Sequence, residues 1–359
     1  MDEQLQQKKD VEMILALNSP RCFGNEVEQN VIGSLNSPRQ LEQRGSISPL
    51  RPILLEVQNS QKKTPNFDFI DYDREKSPRF NETNISTKET AKELGLKYSD
   101  ELTNLTMLVY PYHDLDTLVW NNKLHMFLWI FDDIIDGGVI DSVEKQNLLK
   151  KTIDILESKP LENEVNDSDE ITSKWKVLVL LQQLIKGIED DVAFREFICQ
   201  QLKEYIQGVN EHVLLGDKVI TTEEYIRIRR RDGACEVVWP LMFGRKGFAE
   251  YREFLESTQG IKVRHLANSN VSFVNDILSI DKDRKEGTTF NIVLIRANEY
   301  NESVEKSKQW WIVECNRMFD ELKNTCVEHS IAKEVVEKLC TWCKGSALWH
   351  LKAARYNKV

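Results

Sequence analysis

From Ser77 onward apolar residues recur at three- and four-residue spacing, and no segment shows the alternation of a half-buried strand. A chain patterned this way packs helix on helix. It is expected to form one all-α domain of about 280 residues, large for a simple bundle and able to enclose a cavity. Glycines, prolines and capping residues punctuate it. Ser77-Pro78 predicts a helix start, running to Leu94 with Gly95 as its stop. Further helices are expected over 114–137, 141–157, 171–187, 192–216, 222–243 and 249–283, with an acidic loop at 161–169 and two long C-terminal segments. Inside 222–243, Gly233 and Pro240 predict a break, since mid-helix glycine costs about 1 kcal/mol against alanine.

Residues 1–62 are different in kind. Six of the nine prolines lie at or before Pro78, Ser-Pro-Arg occurs at Ser19, Ser37 and Ser77, and between the first two copies there is little helical periodicity and Gln, Asn and Ser dominate. They read as a polar extension, flexible or loosely docked, ahead of a domain over 63–359. A net charge of −10 argues against nucleic acid as a partner, because a phosphate backbone demands a basic footprint. No apolar run reaches the ~18 residues of a membrane span. The acidic start Met1-Asp2-Glu3 suits neither a secretory signal nor a transit peptide. Seven scattered cysteines suit reduced thiols, so a cytoplasmic setting is expected.

One stretch concentrates chemistry. Phe127-Leu128-Trp129-Ile130-Phe131 runs straight into Asp132-Asp133-Ile134-Ile135-Asp136, followed by Gly137 and Gly138. On a helix, Asp132 and Asp136 stand one turn apart on one face, with Asp133 beside them. Carboxylates crowded at the end of an apolar helix call for a positive partner. A hard divalent cation such as Mg²⁺ fits, since it takes oxygen ligands from one or two carboxylates, water and substrate phosphates.

A second oxygen-bearing stripe lies at Asn275, Ser279 and Asp283. Their i, i+4, i+8 spacing covers about 80° of helix, on a segment otherwise apolar at Val271, Phe273, Val274, Ile277, Leu278 and Ile280. An amide oxygen, a hydroxyl and a carboxylate make a low-charge Mg²⁺ site. Upstream, Arg227, Arg229, Arg230 and Arg231 form a basic cluster in an acidic chain. Guanidinium forks match phosphate oxygens, although at least two of the four are expected on a solvated face.

Together these signals resemble class I terpene synthases of the fungal, bacterial and amoebal single-domain type. The aspartate-rich motif is Asp132-Asp133-Ile134-Ile135-Asp136, and Asn275, Ser279 and Asp283 match the family's Asn/Ser/acid triad, with Asp276 and Lys282 fitting its extended pattern. Arg229 stands 46 positions before Asn275, where the family has its pyrophosphate-sensor arginine, and Asp232 and Gly233 match the linker and effector positions. Trp342, Gly345, Ser346, Trp349, His350, Arg355 and Tyr356 resemble the C-terminal pattern, with Ser346 and His350 replacing the usual Asn and Ser. Those two departures are expected to bear on pocket shape more than on metal binding. The resemblance covers about residues 77 to 359.

It implies the all-α class I terpenoid synthase fold and three Mg²⁺ ions, with Mn²⁺ as a substitute, gripping the diphosphate of a prenyl diphosphate. Asp132 and, less strictly, Asp136 would be ligands on one side, and Asn275, Ser279 and Asp283 on the other. Arg229, Lys282, Arg355 and Tyr356 would bind the diphosphate, and Asp133 would turn outward. Arg229, Asp232 and Gly233, with Asp132, would carry catalysis. The reaction implied is cyclisation of farnesyl or geranylgeranyl diphosphate to a sesquiterpene or diterpene, in a monomer or homodimer. Ionisation leaves an allylic carbocation, so the cavity must be dry, and aromatic faces could stabilise the cation by about 0.5–2 kcal/mol each. Leu128, Trp129, Trp239, Phe243, Trp342 and Trp349 are the pocket candidates, with ordinary core packing the competing role for each aromatic.

Two rivals share the fold. A chain-elongating prenyl diphosphate synthase normally carries a second aspartate-rich motif, whose place is here taken by the triad. A non-enzymatic isoprenoid-binding protein would have no need of metal ligands on both sides. Cys326, His329, Cys340 and Cys343 mimic a zinc spacing, but the last two fall inside a helix. His113, His125 and His212 show no partner in sequence.

Overall fold

The computed structural model describes residues 65–137, 140–158, 173–216, 218–325 and 330–353. The extension over 1–62, the acidic loop, Cys326, His329, Arg355 and Tyr356 lie outside the described residues. Every regular element among them is helical: α1 (Phe80–Leu94), α2 (Asp100–Val109), α3 (Leu115–Asp136), α4 (Ser142–Leu156), α5 (Ser173–Lys186), α6 (Val192–Leu215), α7 (Thr222–Asp232), α8 (Cys235–Val238), a 3-10 turn (Pro240–Phe243), α9 (Gly244–Glu256), α10 (Thr258–Glu286), α11 (Ile292–Glu299), α12 (Val304–Lys323) and α13 (Ser330–Lys352). No helix among the described residues is long and apolar enough to cross a membrane.

The caps explain most of the boundaries. Asp114 accepts a hydrogen bond from the Thr117 amide at 2.8 Å and starts α3. Asp141 and Asp191 do the same for α4 and α6, and Thr221 with Glu224 forms a capping box on α7. The first predicted start falls short by two residues. α1 begins at Phe80, after an Arg79 cap that makes no side-chain bond, while Gly95 takes the expected left-handed conformation at its end. α2 fills a stretch for which the sequence reading has no helix, and Ser257 splits 249–283 by capping α10. The C-terminal region forms three helices, not two, because Asn291 and Ser303 each cap a new start.

Two helices form the frame of the site without packing extensively on each other. α3 buries Leu118, Leu124, Phe127 and Phe131 against α1, α2 and α5. Each such side chain stabilises the fold by about 1.5–3 kcal/mol. α10 buries Val263, Leu266, Phe273, Val274 and Ile277 against α12 and α13. α13 packs on α2 as well as α10, and α7 packs on both α6 and α10. The end of α3 lies close to the α7–α10 contact, since Asp132 acts on Arg229 and Asp136 is acted on by Arg229 and Asp232. Among the described cysteines all are free thiols, Cys340 and Cys343 lie on α13, and burial pushes the Cys340 thiol up to about 11.

Candidate active site

The break in α7 sets the centre of the site. Gly233 closes α7 by donating its N–H to the Arg229 carbonyl, and Ala234 then adopts a left-handed conformation with φ 56°. A Cβ on Gly233 would come within 2.9 Å of the Arg229 carbonyl oxygen and 3.1 Å of Ser272 Oγ, so glycine is what lets the chain turn against α10 here. The expected break is present at both Gly233 and Pro240, where Pro240 opens the 3-10 turn.

Arg229 gathers the neighbouring groups. Its Nη1 lies 3.3 Å from Asp232 Oδ1, and its Nη2 donates to Asn275 Oδ1 at 3.1 Å and to Asp276 Oδ1 at 3.4 Å. Burial disfavours its charge, but Tyr225, Asp276, Asp232 and Asp132 outweigh that and hold the guanidinium firmly protonated. Among the described residues its buried Nε has no hydrogen-bond partner, which leaves it a donor for an anionic oxygen. The other arginines differ. Arg227 and Arg231 both pair with Glu211 on α6, and Arg230 is buried.

The triad is held in place by its surroundings. Ser279 Oγ donates to Asp283 Oδ2 at 2.6 Å, and the Asn291 amide donates to the same oxygen at 2.8 Å and to the Asp276 carbonyl at 2.9 Å. Asp276 accepts from the Tyr225 hydroxyl and from the Ile292 N–H at 3.0 Å. Burial raises its carboxyl to about 6, against the pull of Arg229, Tyr225 and the Ile292 amide. Asn275 Nδ2 lies 2.9 Å from His350 Nε2 on α13.

Across from the triad, Asp132 is half-buried while Asp133 and Asp136 are exposed. Asp133 thus turns outward. Asp132 and Asp136 both act on the buried Tyr205 hydroxyl together with Asp232 and Arg229, which ties the end of α3 to the α7 break. The Asp136 carboxyl is raised by the protein around it and by Asp232, against His212, Arg229 and Lys145.

Several residues depart from the sequence reading. His212 has a partner: its Nδ1 lies 3.0 Å from Asp232 Oδ2, and its ring stacks on Phe290 at 3.7 Å. Burial lowers the imidazole, but Asp232 and Asp136 outweigh this and raise it overall. Gly208, one turn earlier, lets α6 approach so closely that a Cβ would stand 2.5 Å from Arg231 Cβ. His125 contacts Thr106 Oγ1 at 3.1 Å, and burial lowers its imidazole to about 4. The structure turns Lys282 to Glu286 at 3.1 Å. His350, expected to bear on pocket shape, also touches the triad's amide, a contact that only the fold of α13 onto α10 reveals.

The aromatic candidates divide. Trp239 and Trp342 meet edge to face at 5.3 Å, with Tyr110 and His125 beside Trp342, and Leu128 is buried in the same core. Trp129 and Trp349 pair with each other at 5.5 Å in a satellite cluster with Leu108 and Leu348, and Trp349 donates its Nε1–H to the Glu101 carbonyl. Phe243 stacks on Tyr251 at 4.1 Å on the α9 side. A cleft beyond His212, lined by Val219, Ile220, Phe290 and Leu294, holds about 50 Å³.

The donor chemistry fits a hard cation. Among the described residues no three His, Cys, Asp or Glu side chains converge closely enough to hold a metal by themselves. Asp132, Asp136, Asn275, Ser279 and Asp283 instead offer a sparse all-oxygen set, as suits an ion that also takes substrate oxygens and water.

The comparisons with known proteins agree with this fold. Linalool/nerolidol synthase from Streptomyces clavuligerus superposes with a TM-score of 0.62 at 17% identity, covering 77% of this chain and 97% of that one. Germacradien-4-ol synthase from Streptomyces citricolor gives 0.60 at 17% identity, over 81% and 98%. The model of terpene synthase family 2, C-terminal metal binding, matches residues 123–321, more than half of the 359-residue chain, and the chain belongs to that family. It is a class I terpene synthase, a metal-binding enzyme that acts on prenyl diphosphates. Terpene synthase 1 of Physarum polycephalum is 20% identical over 278 residues, covering 72% of this chain and 80% of the relative. Sesquiterpene synthase 1 of Postia placenta is 23% identical over 177 residues, covering 47% and 50%.

Proposed function

We propose that the chain ionises one allylic prenyl diphosphate, farnesyl or geranylgeranyl diphosphate, with Mg²⁺ and cyclises it to a sesquiterpene or diterpene, releasing inorganic diphosphate. The observation that carries this is the Arg229 guanidinium. It hydrogen-bonds Asn275 of the triad at 3.1 Å, stands at the break in α7, and lies in the field of Asp132. The relative named a sesquiterpene synthase supports the fifteen-carbon substrate.

In this reading Asp132 and Asp136 hold ions on one side and Asn275, Ser279 and Asp283 on the other, three Mg²⁺ in all, with Mn²⁺ as substitute. When bound, Mg²⁺ supplies Lewis-acid stabilisation of the charge developing on the departing diphosphate. Arg229 adds a fixed positive charge and an Nε–H donor to the same oxygens, with Lys282, drawn from its weak surface pairing with Glu286, and Arg355 and Tyr356 as further diphosphate contacts. Asp232 orients Arg229 from below, and Gly233 lets the chain turn toward the reacting carbon. Trp239, Trp342 and Leu128 keep water away from the allylic cation, and the two indoles offer it their faces. Residues 63–359 form the catalytic domain, as monomer or homodimer, with 1–62 appended.

The test is incubation with each prenyl diphosphate alone and Mg²⁺, followed by analysis of volatiles and diphosphate. Hydrocarbon or terpene alcohol should form without isopentenyl diphosphate, and EDTA should stop it. A lengthened prenyl diphosphate, made only when isopentenyl diphosphate is supplied, would establish the elongating synthase instead.

A further inference from the structure

The hydrogen-bond partners of His350 assign its tautomer. Its Nδ1 lies 2.7 Å from the Ser346 carbonyl oxygen, which can only accept, so Nδ1 carries the proton. Ser346 Oγ is 3.3 Å from the same nitrogen. Nε2 therefore presents its lone pair, and the Asn275 amide nitrogen stands 2.9 Å from it as donor. On the other side of that amide, Arg229 Nη2 donates to Oδ1 at 3.1 Å. One donor and one acceptor clamp the amide, and reversing it would set N–H against N–H at Arg229 and oxygen against a lone pair at His350. His350 is buried, and the α13 backbone on which it stands packs directly on α10.

We propose that His350 is a positioning residue for the metal site: its Nε2 takes the Asn275 amide hydrogen bond and so fixes Asn275 Oδ1 toward the cation and Arg229. The assignment rests on Asn275 being a metal ligand. Such an outer contact orients the ligand without touching metal or substrate, and losing one typically weakens metal affinity about 10- to 100-fold. Ser346 belongs to the same device, since its carbonyl fixes the tautomer.

The test measures Mn²⁺ binding to the full chain in the presence of inorganic diphosphate, by the paramagnetic resonance signal of free Mn²⁺, beside the Mg²⁺ activation curve. His350→Leu should weaken Mn²⁺ binding about 10-fold and shift the Mg²⁺ curve equally. His350→Gln, which keeps an acceptor within reach of Asn275, should restore binding to within about threefold. If the leucine variant fails to fold, His350→Asn serves: it reaches only the Nδ1 position and should show the same loss. In an Asn275→Leu background, His350→Leu should add nothing further. Unchanged Mn²⁺ binding in His350→Leu, or an equal loss with and without Asn275, would overturn the proposal. Wild-type binding in Asn275→Leu alone would instead remove the triad from the metal site, and this assignment with it.

Discussion

At the end of α3 the site offers three aspartates, of which Asp133 and Asp136 are exposed and Asp132 half-buried, whereas on α10 it offers an amide, a hydroxyl and one carboxylate tied to named neighbours. The contrast follows from desolvation. Carboxylates keep their charge where water reaches them or a cation pairs with them; Asp232 and Asp276 are buried beside Arg229, whereas the crowded aspartates of α3 sit at the open end of an apolar helix. An amide and a hydroxyl tolerate burial once hydrogen-bonded, so Ser279 can lie deep in the protein. One half of the site contributes charge, the other contributes position. Substitutions on the two helices should therefore separate activity from stability.

The largest effect is expected at Asp132. Asp132→Asn removes charge from a half-exposed position, so turnover should fall by about 10³-fold while stability stays within about 0.5 kcal/mol. Steady-state kinetics and a thermal melt check both, and near-wild-type turnover would break the assignment. Arg229→Lys keeps the charge but loses the fork that spans Asp232 and Asn275, and a loss of about 10²-fold in kcat is expected. If Arg227→Lys and Arg231→Lys cost as much, the cluster binds anions diffusely and no single arginine is the sensor.

Ser279→Ala sharpens the comparison, because here both properties should move. Turnover should fall about 10-fold with a shifted Mg²⁺ activation curve, and stability should fall by about 1 kcal/mol as Asp283 loses a donor. An unchanged melt together with an unchanged Mg²⁺ curve would place the site elsewhere. The smallest effect is expected at Asp133, which faces outward. Asp133→Asn should leave kcat within about twofold, since exposed positions away from buried contacts seldom matter by more than about 0.5 kcal/mol. A large loss there would put all three aspartates on the same footing.

Much of this was legible in the sequence because the signals are local. Asp114, Asp141 and Asp191 cap helices they immediately precede, and Gly233 and Pro240 break the helix in which they stand. The i, i+4, i+8 stripe of the triad is a property of one helix. α2 escaped because its Leu-Thr-Asn-Leu-Thr-Met-Leu-Val run is neither cleanly amphipathic nor long, and tertiary packing on α3 and α13 decides its conformation. Ser257 escaped because a single serine inside an apolar pattern does not distinguish a cap from a helix interior. The partners of the candidate ligands were not legible at all. His212 meets Asp232 across two helices, Asn291 reaches Asp283 through a turn, and His350 meets Asn275 from 75 residues away. The aromatic pocket candidates suffered likewise, since helical position alone does not say that Trp129 and Trp349 would pair with each other rather than with Trp239.

The docking of α13 has a consequence for the order in which the molecule assembles. Trp349 reaches back to the Glu101 carbonyl over 248 residues, and Asn316 to Asp68 over the same span. Closing a loop of that length costs about 3 kcal/mol more than closing one of ten residues. Local contacts along α3, α6 and α10 carry no such cost and form first, while α13 joins only when most of the apolar surface it covers already exists. The Asn275 amide is thus clamped in the last stage of folding, and a partly folded chain lacks this arrangement rather than holding a weak version of it. Pulse-labelled hydrogen exchange should show amides of α13 gaining protection after those of α10. Simultaneous protection would mean that the chain closes on itself before its helices are sorted.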